Sequence, residues 1–260
     1  MEETAEEWAL AYVKSDSLSL KCAPGASPLH WAEPRPPSNN VSPGRPRELR
    51  VTTEQPREVK SEDLSRSEVR AQLFHKFWHH ELQAAELMAW AVVKFPETPP
   101  SFRIGLLGIL QDEVRHMGLY QTYIEALGFS LGDFEIRDWM WQRVSRCETP
   151  LAFVSLLGMG LEAANLEHAA RFEKRLRAVG DEAGALIQEQ IGREEVAHVR
   201  FASRWFRTWT GDVNFDTWRG ALPPDLSALQ FMGRNFQTKQ RLLAELPQEF
   251  LNQLQAWKKR

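Results

Sequence analysis

Cysteine is scarce in this chain. Cys22 and Cys147 are its only two, and they show no CxxC spacing. That argues against a disulfide framework or a thiolate metal knuckle and fits small buried thiols in a reducing compartment. Long apolar runs are also missing: no stretch reaches the roughly 18 residues that a membrane helix needs. The first twenty residues are acidic and lack the charged start and apolar run of a leader. Nor is there an excess of either charge, since 32 basic residues face 35 acidic ones for a net charge of −3. No global polycation announces nucleic acid or an anionic membrane as a partner. These absences predict a soluble, cytoplasmic protein. With 260 residues, 43% of them hydrophobic, the chain can bury one sizeable core, and nothing requires a second independent domain.

What the chain does contain is one short stretch written twice. Asp112-Glu113-Val114-Arg115-His116 and Glu194-Glu195-Val196-Ala197-His198 each carry Glu-x-x-His. Residues three apart are neighbours on one helix face, so a carboxylate and an imidazole at that spacing can converge on one metal ion. A single copy would carry little weight, because a solvated helix face often has Glu and His at this spacing. A third carboxylate precedes each copy. Glu81 lies 32 residues before Glu113, and Glu162 lies 33 before Glu195. Their surroundings match: Glu81-Leu82-Gln83-Ala84-Ala85-Glu86 and Glu162-Ala163-Ala164-Asn165-Leu166-Glu167. The pattern is an internal repeat of a helical hairpin. The first hairpin breaks at Phe95 to Pro100 with nearly equal arms, and the second near Gly180-Asp181, with arms that differ by about 6 Å at 1.5 Å per residue.

In chain order, Glu2 to about Lys14 reads as a short amphipathic helix. Eight of the fifteen prolines then fall between Pro24 and Pro56, which predicts neither helix nor ladder-forming strand there. Leu29, Trp31, Val41, Leu49 and Val51 within that stretch suit an extended strap packed on the domain better than a solvated linker. The first long helix starts near Ser67, and Glu81 sits in its apolar stripe with Phe74, Phe77, Trp78, Ala85, Met88 and Val92. A carboxylate there is costly unless paired or metal-bound. Glu86, about 140° further round, cannot point at the same centre equally, and His79 could pair with it. His75, His79 and His80 have no counterpart in the second repeat and read as surface or hydrogen-bonding histidines.

The second helix runs from about Ser101 to Leu127 and ends at Gly128. Tyr120 and Tyr123 follow His116 on the ligand face. Tyr120 is a candidate redox tyrosine, although a core tyrosine with a satisfied hydroxyl is the plainer reading. Phe129 to Glu148 is long enough to cross the bundle from end to end. Thr149-Pro150 starts the third helix, where Gly158 and Gly160 mark close packing or room for a substrate to enter. A fourth helix runs from about Asp181 to Trp209 and stops at Gly211. Leu222-Pro223-Pro224-Asp225 then caps another helix that includes Phe231, Phe236 and Leu242 to Leu246. Gln248 to Trp257 makes a last short one, ending in Lys258-Lys259-Arg260.

Glu81, Glu113, His116, Glu162, Glu195 and His198 form the ligand set that two iron ions, or two manganese ions, require. Four carboxylates balance two divalent cations, so the cluster can be buried. Asp112 and Glu194 could each accept the other ring N–H of a ligand histidine, and Glu86 and Glu167 are supporting positions.

The pattern resembles the ferritin-like di-iron carboxylate superfamily. More closely, His79 to Leu87, Leu161 to His168, Glu195 to Val199, Trp205-Phe206 and Pro43-Gly44-Arg45-Pro46 resemble a bacterial ferritin-like family of unknown function, domain family 455. The resemblance implies an all-α, ferritin-like four-helix bundle with a long crossover over 67–210. An N-terminal helix and Pro-rich strap over 1–66 and helices over 211–260 would flank it. It further implies an oxidoreductase that activates O2 or peroxide, such as a hydroxylase, with an unknown small-molecule substrate and electron donor. Ferroxidase or iron-handling activity, tRNA-modifying hydroxylation and a metal-stabilised scaffold without turnover are the alternatives, since fold alone does not choose among chemistries.

Overall fold

A computed structural model describes residues 3–32, 41–54, 62–233 and 235–257. Lys258-Lys259-Arg260 and several of the strap's prolines lie outside the described residues. The described chain is mostly helical and divides into two compact units, Met1–Arg146 and Cys147–Arg260. No described helix is long and apolar enough to cross a membrane.

The first unit is built on a helical hairpin. Helices α1 (Ala5–Lys14) and α2 (Leu18–Cys22) come first, and strand β1 (Arg50–Val51) follows in the strap. The hairpin helices are α3 (Ser67–Lys94) and α4 (Pro100–Ala126), after which come β2 (Glu135–Ile136) and α5 (Trp139–Val144). Thr4 and Glu7 form a reciprocal capping box that starts α1. Proline at N1 starts α4, and Gly128 at φ +85° follows its end. The apolar stripe on α3 packs against α4 and α1, with Phe74, Trp78, Leu82, Ala85 and Met88 buried.

Among the described residues of the strap, Val41 and Leu49 are buried, whereas Leu29 and Val51 are exposed. The expectation of no ladder-forming strand fails at one point. Arg50–Val51 pairs in parallel with Glu135–Ile136, because the stretch after Pro46 is free of proline and keeps its N–H groups. The link from Phe129 onward is also structured, as it supplies β2 and α5.

The second unit contains α6 (Pro150–Phe153), a π-helical segment (Val154–Glu162), α7 (Ala163–Ala178) and α8 (Glu182–Thr210). Thr149 caps α6 through its hydroxyl, Asp181 caps α8, and Gly211 ends α8 at φ +89°. Gly158 and Gly160 both lie where neighbouring groups approach closely. A Cβ on Gly158 would lie 2.2 Å from the Ala202 Cβ on α8, and one on Gly160 would lie 3.1 Å from the Phe231 ring.

Beyond Gly211 come α9 (Phe215–Ala221), α10 (Thr238–Leu243) and α11 (Gln248–Ala256). The single helix expected after Pro223-Pro224 is instead a 3₁₀ turn (Ala228–Phe231) followed by α10. It breaks where the chain passes Glu167. Gly233 approaches so closely that a Cβ there would lie 2.3 Å from the Glu167 Cβ, and the Gln237 N–H donates to Glu167 Oε1. A continuous helix would commit that N–H to its own carbonyls.

Candidate metal centre

In the first unit, the α3–α4 hairpin brings Glu81 level with Glu113 and His116. All three are buried, and one ligand atom from each lies within 4.8 Å of the others. His116 Nδ1 is 3.3 Å from Glu113 Oε2 and 3.9 Å from Glu81 Oε2. Burial pushes the Glu81 carboxyl well above its ordinary range, and the neighbouring Glu113 charge adds to this. Burial works to lower the His116 imidazole, but hydrogen bonding and charge from Glu113 and Glu81 outweigh it and carry the pKa to about 11. Two carboxylates crowded into an apolar hairpin disfavour each other's charge, and a divalent cation between them would relieve that.

The second unit builds the same triad. Glu162 ends the π-helical segment, and Glu195 and His198 lie one turn apart on α8. All three are buried, and their ligand atoms also lie within 4.8 Å of one another. His198 Nδ1 is 3.2 Å from Glu195 Oε2. Asn165 Nδ2 donates to Glu195 Oε1 at 3.2 Å and orients that carboxylate. The sequence reading assigned Asn165 no role, and its place three residues after Glu162 was the available signal.

Glu86 and Glu167, five residues beyond Glu81 and Glu162, are equally buried but engage cations. Glu86 Oε1 meets Lys21 Nζ at 2.7 Å and Arg45 Nη1 at 2.6 Å. Arg45 also forks onto Asp138, through Nε at 3.0 Å and Nη2 at 2.9 Å. Glu167 is held by Arg241, with Nε to Oε1 at 2.9 Å and Nη2 to Oε2 at 2.7 Å. In the sequence, Arg45 stands out only as part of Pro43-Gly44-Arg45-Pro46. Lys21, Asp138 and Arg241 gave no signal, because each comes from a segment remote in sequence from the carboxylate network it joins.

His79 does not pair with Glu86. Its Nε2 lies 3.0 Å from Asp138 Oδ1, the same oxygen that Arg45 grips, because the α5 cap residue reaches this face of α3. Burial lowers the His79 pKa against the pull of Asp138. The Asp138 carboxyl is opposed by burial but held down to about 2 by His79 and Arg45. His75 Nε2 accepts from the Gly132 N–H at 2.8 Å, and His80 Nε2 from Trp139 Nε1 at 3.3 Å. All three histidines are hydrogen-bonding groups, as expected.

Asp112 accepts from Arg115 at 2.9 Å at the surface, and Glu194 accepts from Gln190 at 3.2 Å. Tyr120 is buried among aromatic rings, edge-on to Phe74 at 5.5 Å and tilted against Phe77 at 5.8 Å. Burial raises the Cys147 thiol to about 12, which suits a structural rather than a reactive cysteine.

Paired helical hairpins, each closing a buried triad of two carboxylates and an imidazole, define a class of helical protein with acidic and histidine clusters suited to holding metal. The chain belongs to the family described as Protein of unknown function (DUF455), which matches residues 2–252. It is 23% identical over 159 residues to an uncharacterized protein of Haemophilus influenzae. The match covers 58% of this chain and 55% of that relative, so it spans about half the relative's length. No solved structure matches the chain.

Proposed function

We propose that the chain is a ferritin-like four-helix bundle whose two hairpins together hold a pair of iron ions, with manganese as the substitute, and that it is an oxidoreductase using O2 or peroxide. Glu81, Glu113 and His116 would serve one ion, and Glu162, Glu195 and His198 the other. The carrying observation is the repeated buried triad, in which His116 Nδ1 and His198 Nδ1 face carboxylates at 3.3 and 3.2 Å. Buried oxygen donors with imidazole and without thiolate suit iron or manganese better than zinc. The equivalence of Glu86 and Glu167, both consumed by cations, supports the choice of Glu81 and Glu162 as ligands.

A bound iron pair would supply redox equivalents to an oxygen-derived oxidant. The chain's own residues do the rest. The four carboxylates set the charge at −4, matching two divalent ions, and their apolar flanks keep bulk water away. The Glu81 and Glu113 carboxylates face His116 Nδ1, and Asn165 donates to Glu195. A small-molecule substrate and an external electron donor complete the reading, with Tyr120 as a candidate relay.

Metal content and air oxidation test this. Protein made in iron-rich cells should contain about two ions per chain, the number the two triads imply. Anaerobic Fe(II)-loaded protein should gain near-ultraviolet absorbance in air, reversed by a reductant, and His116→Ala or His198→Ala should abolish it. No metal after supply of iron or manganese would sink the reading. Metal whose spectrum air leaves unchanged would favour a scaffold. A single oxidation followed by release of ferric particles would favour iron handling.

A further inference from the structure

Glu162 is bracketed by two contacts from the same C-terminal segment. Seven residues before it, the Ser155 carbonyl accepts a bond from Trp218 Nε1 at 2.9 Å, with both residues fully buried. Five residues after it, Glu167 is gripped by the fork of fully buried Arg241. Between these points Phe231 packs on Gly160, and its carbonyl accepts from Arg241 Nη2 at 2.9 Å, which ties the two contacts together. The stretch they span contains the nine-residue π-helical segment, Val154–Glu162.

π-helical hydrogen bonding is rare and usually confined to a single turn. A longer run needs support from outside the helix. Reversion to α-helical pairing would shift each downstream residue by about one position, turning Glu162 roughly 100° about the helix axis at 3.6 residues per turn. Glu195 and His198 are fixed separately on α8, so that rotation would take the Glu162 carboxylate away from them.

We propose that Trp218 and Arg241 are positioning residues, and that the C-terminal segment acts as a splint setting the helical register at which Glu162 meets Glu195 and His198. The indole N–H holds the entry to the π-helical segment at the Ser155 carbonyl. The guanidinium fixes the rotation of α7 through Glu167, a carboxylate withheld from the metal for that purpose. The consequence for metal binding rests on the proposed metal site, whereas the splint itself is measurable without metal.

The test uses the full chain and two conservative variants. Trp218→Phe keeps an aromatic ring and removes the indole N–H, and Arg241→Lys keeps the charge and removes the fork. Lys239→Gln, on the exposed side of α10, is the control. In metal-free protein, amide hydrogen exchange over residues 154–167 should accelerate at least tenfold in both variants, with helix content retained and the control unchanged. In Mn(II) titrations followed by calorimetry, one of two sites should weaken at least tenfold and the other by less than twofold. Unchanged exchange would overturn the splint. Accelerated exchange with both Mn(II) affinities intact would overturn its positioning role. A wild-type chain that takes up no metal would sink the metal site instead, leaving exchange alone to decide whether the splint exists.

Discussion

Glu81 and Glu86 stand five positions apart on α3, both buried, yet their surroundings are opposite. Glu86 meets two cations, whereas Glu81 meets another carboxylate and a histidine. Truncation should separate them by sign. Glu86→Ala would leave Lys21 buried without its carboxylate, at a cost of about 3–5 kcal/mol. Glu81→Gln in metal-free protein should be neutral or stabilising, because it removes a buried charge that burial and Glu113 already disfavour. Urea unfolding of the two variants at pH 7 in chelator checks this. An equal loss in both would mean that Glu81 is structural too. Metal uptake should respond the other way, failing in Glu81→Gln.

At the scale of elements, the strap and the link after α4 are fastened to α3 around Gly132. Its N–H donates to His75 Nε2, its carbonyl accepts from Arg50 Nε at 3.1 Å, and a Cβ there would lie 2.2 Å from the Glu48 carbonyl oxygen. The bond requires neutral His75. Burial first, then the neighbouring His79, lowers its pKa to about 4, with Asp133 opposing and Arg50 assisting. The unfolded imidazole titrates near 6.5, so the unfolded chain binds the extra proton in between. This contribution to stability is complete above about pH 6.5 and declines as pH falls towards 4. It amounts to on the order of 3 kcal/mol at 1.36 kcal/mol per pKa unit. His75→Gln, which keeps an acceptor and cannot titrate there, should flatten the stability profile between those pH values. A profile as steep as that of wild type would place the acid sensitivity elsewhere.

For the whole molecule, two buried acidic triads that could hold metal would make it a folding ligand. Metal that binds only the folded chain stabilises it by about 2.7 kcal/mol at one hundred times Kd. Thermal scans with excess Mn(II) and with chelator should therefore differ by several degrees, with the metal-bound form higher. Glu162→Gln should lose part of that difference and Lys239→Gln none. Identical Tm values in metal and chelator would argue against ligation by either triad.

The sequence by itself determined the helical class, the long helices and most of their ends, because periodicity, Thr149, Asp181, Gly128 and Gly211 act within a turn or two of where they stand. It also carried the six candidate ligands, since a repeat of Glu, then Glu-x-x-His, is legible without coordinates. It could not decide between Glu81 and Glu86, or between Glu162 and Glu167, by spacing alone. Only tertiary structure separates their surroundings, by bringing Lys21 and Arg45 onto Glu86 and Arg241 onto Glu167 across separations of 65, 41 and 74 residues. The π-helical register before Glu162 was hidden for the same reason. Local sequence specifies a helix, but the indole and the guanidinium that pin its winding arrive from a distant segment, and no pattern within the helix encodes their arrival.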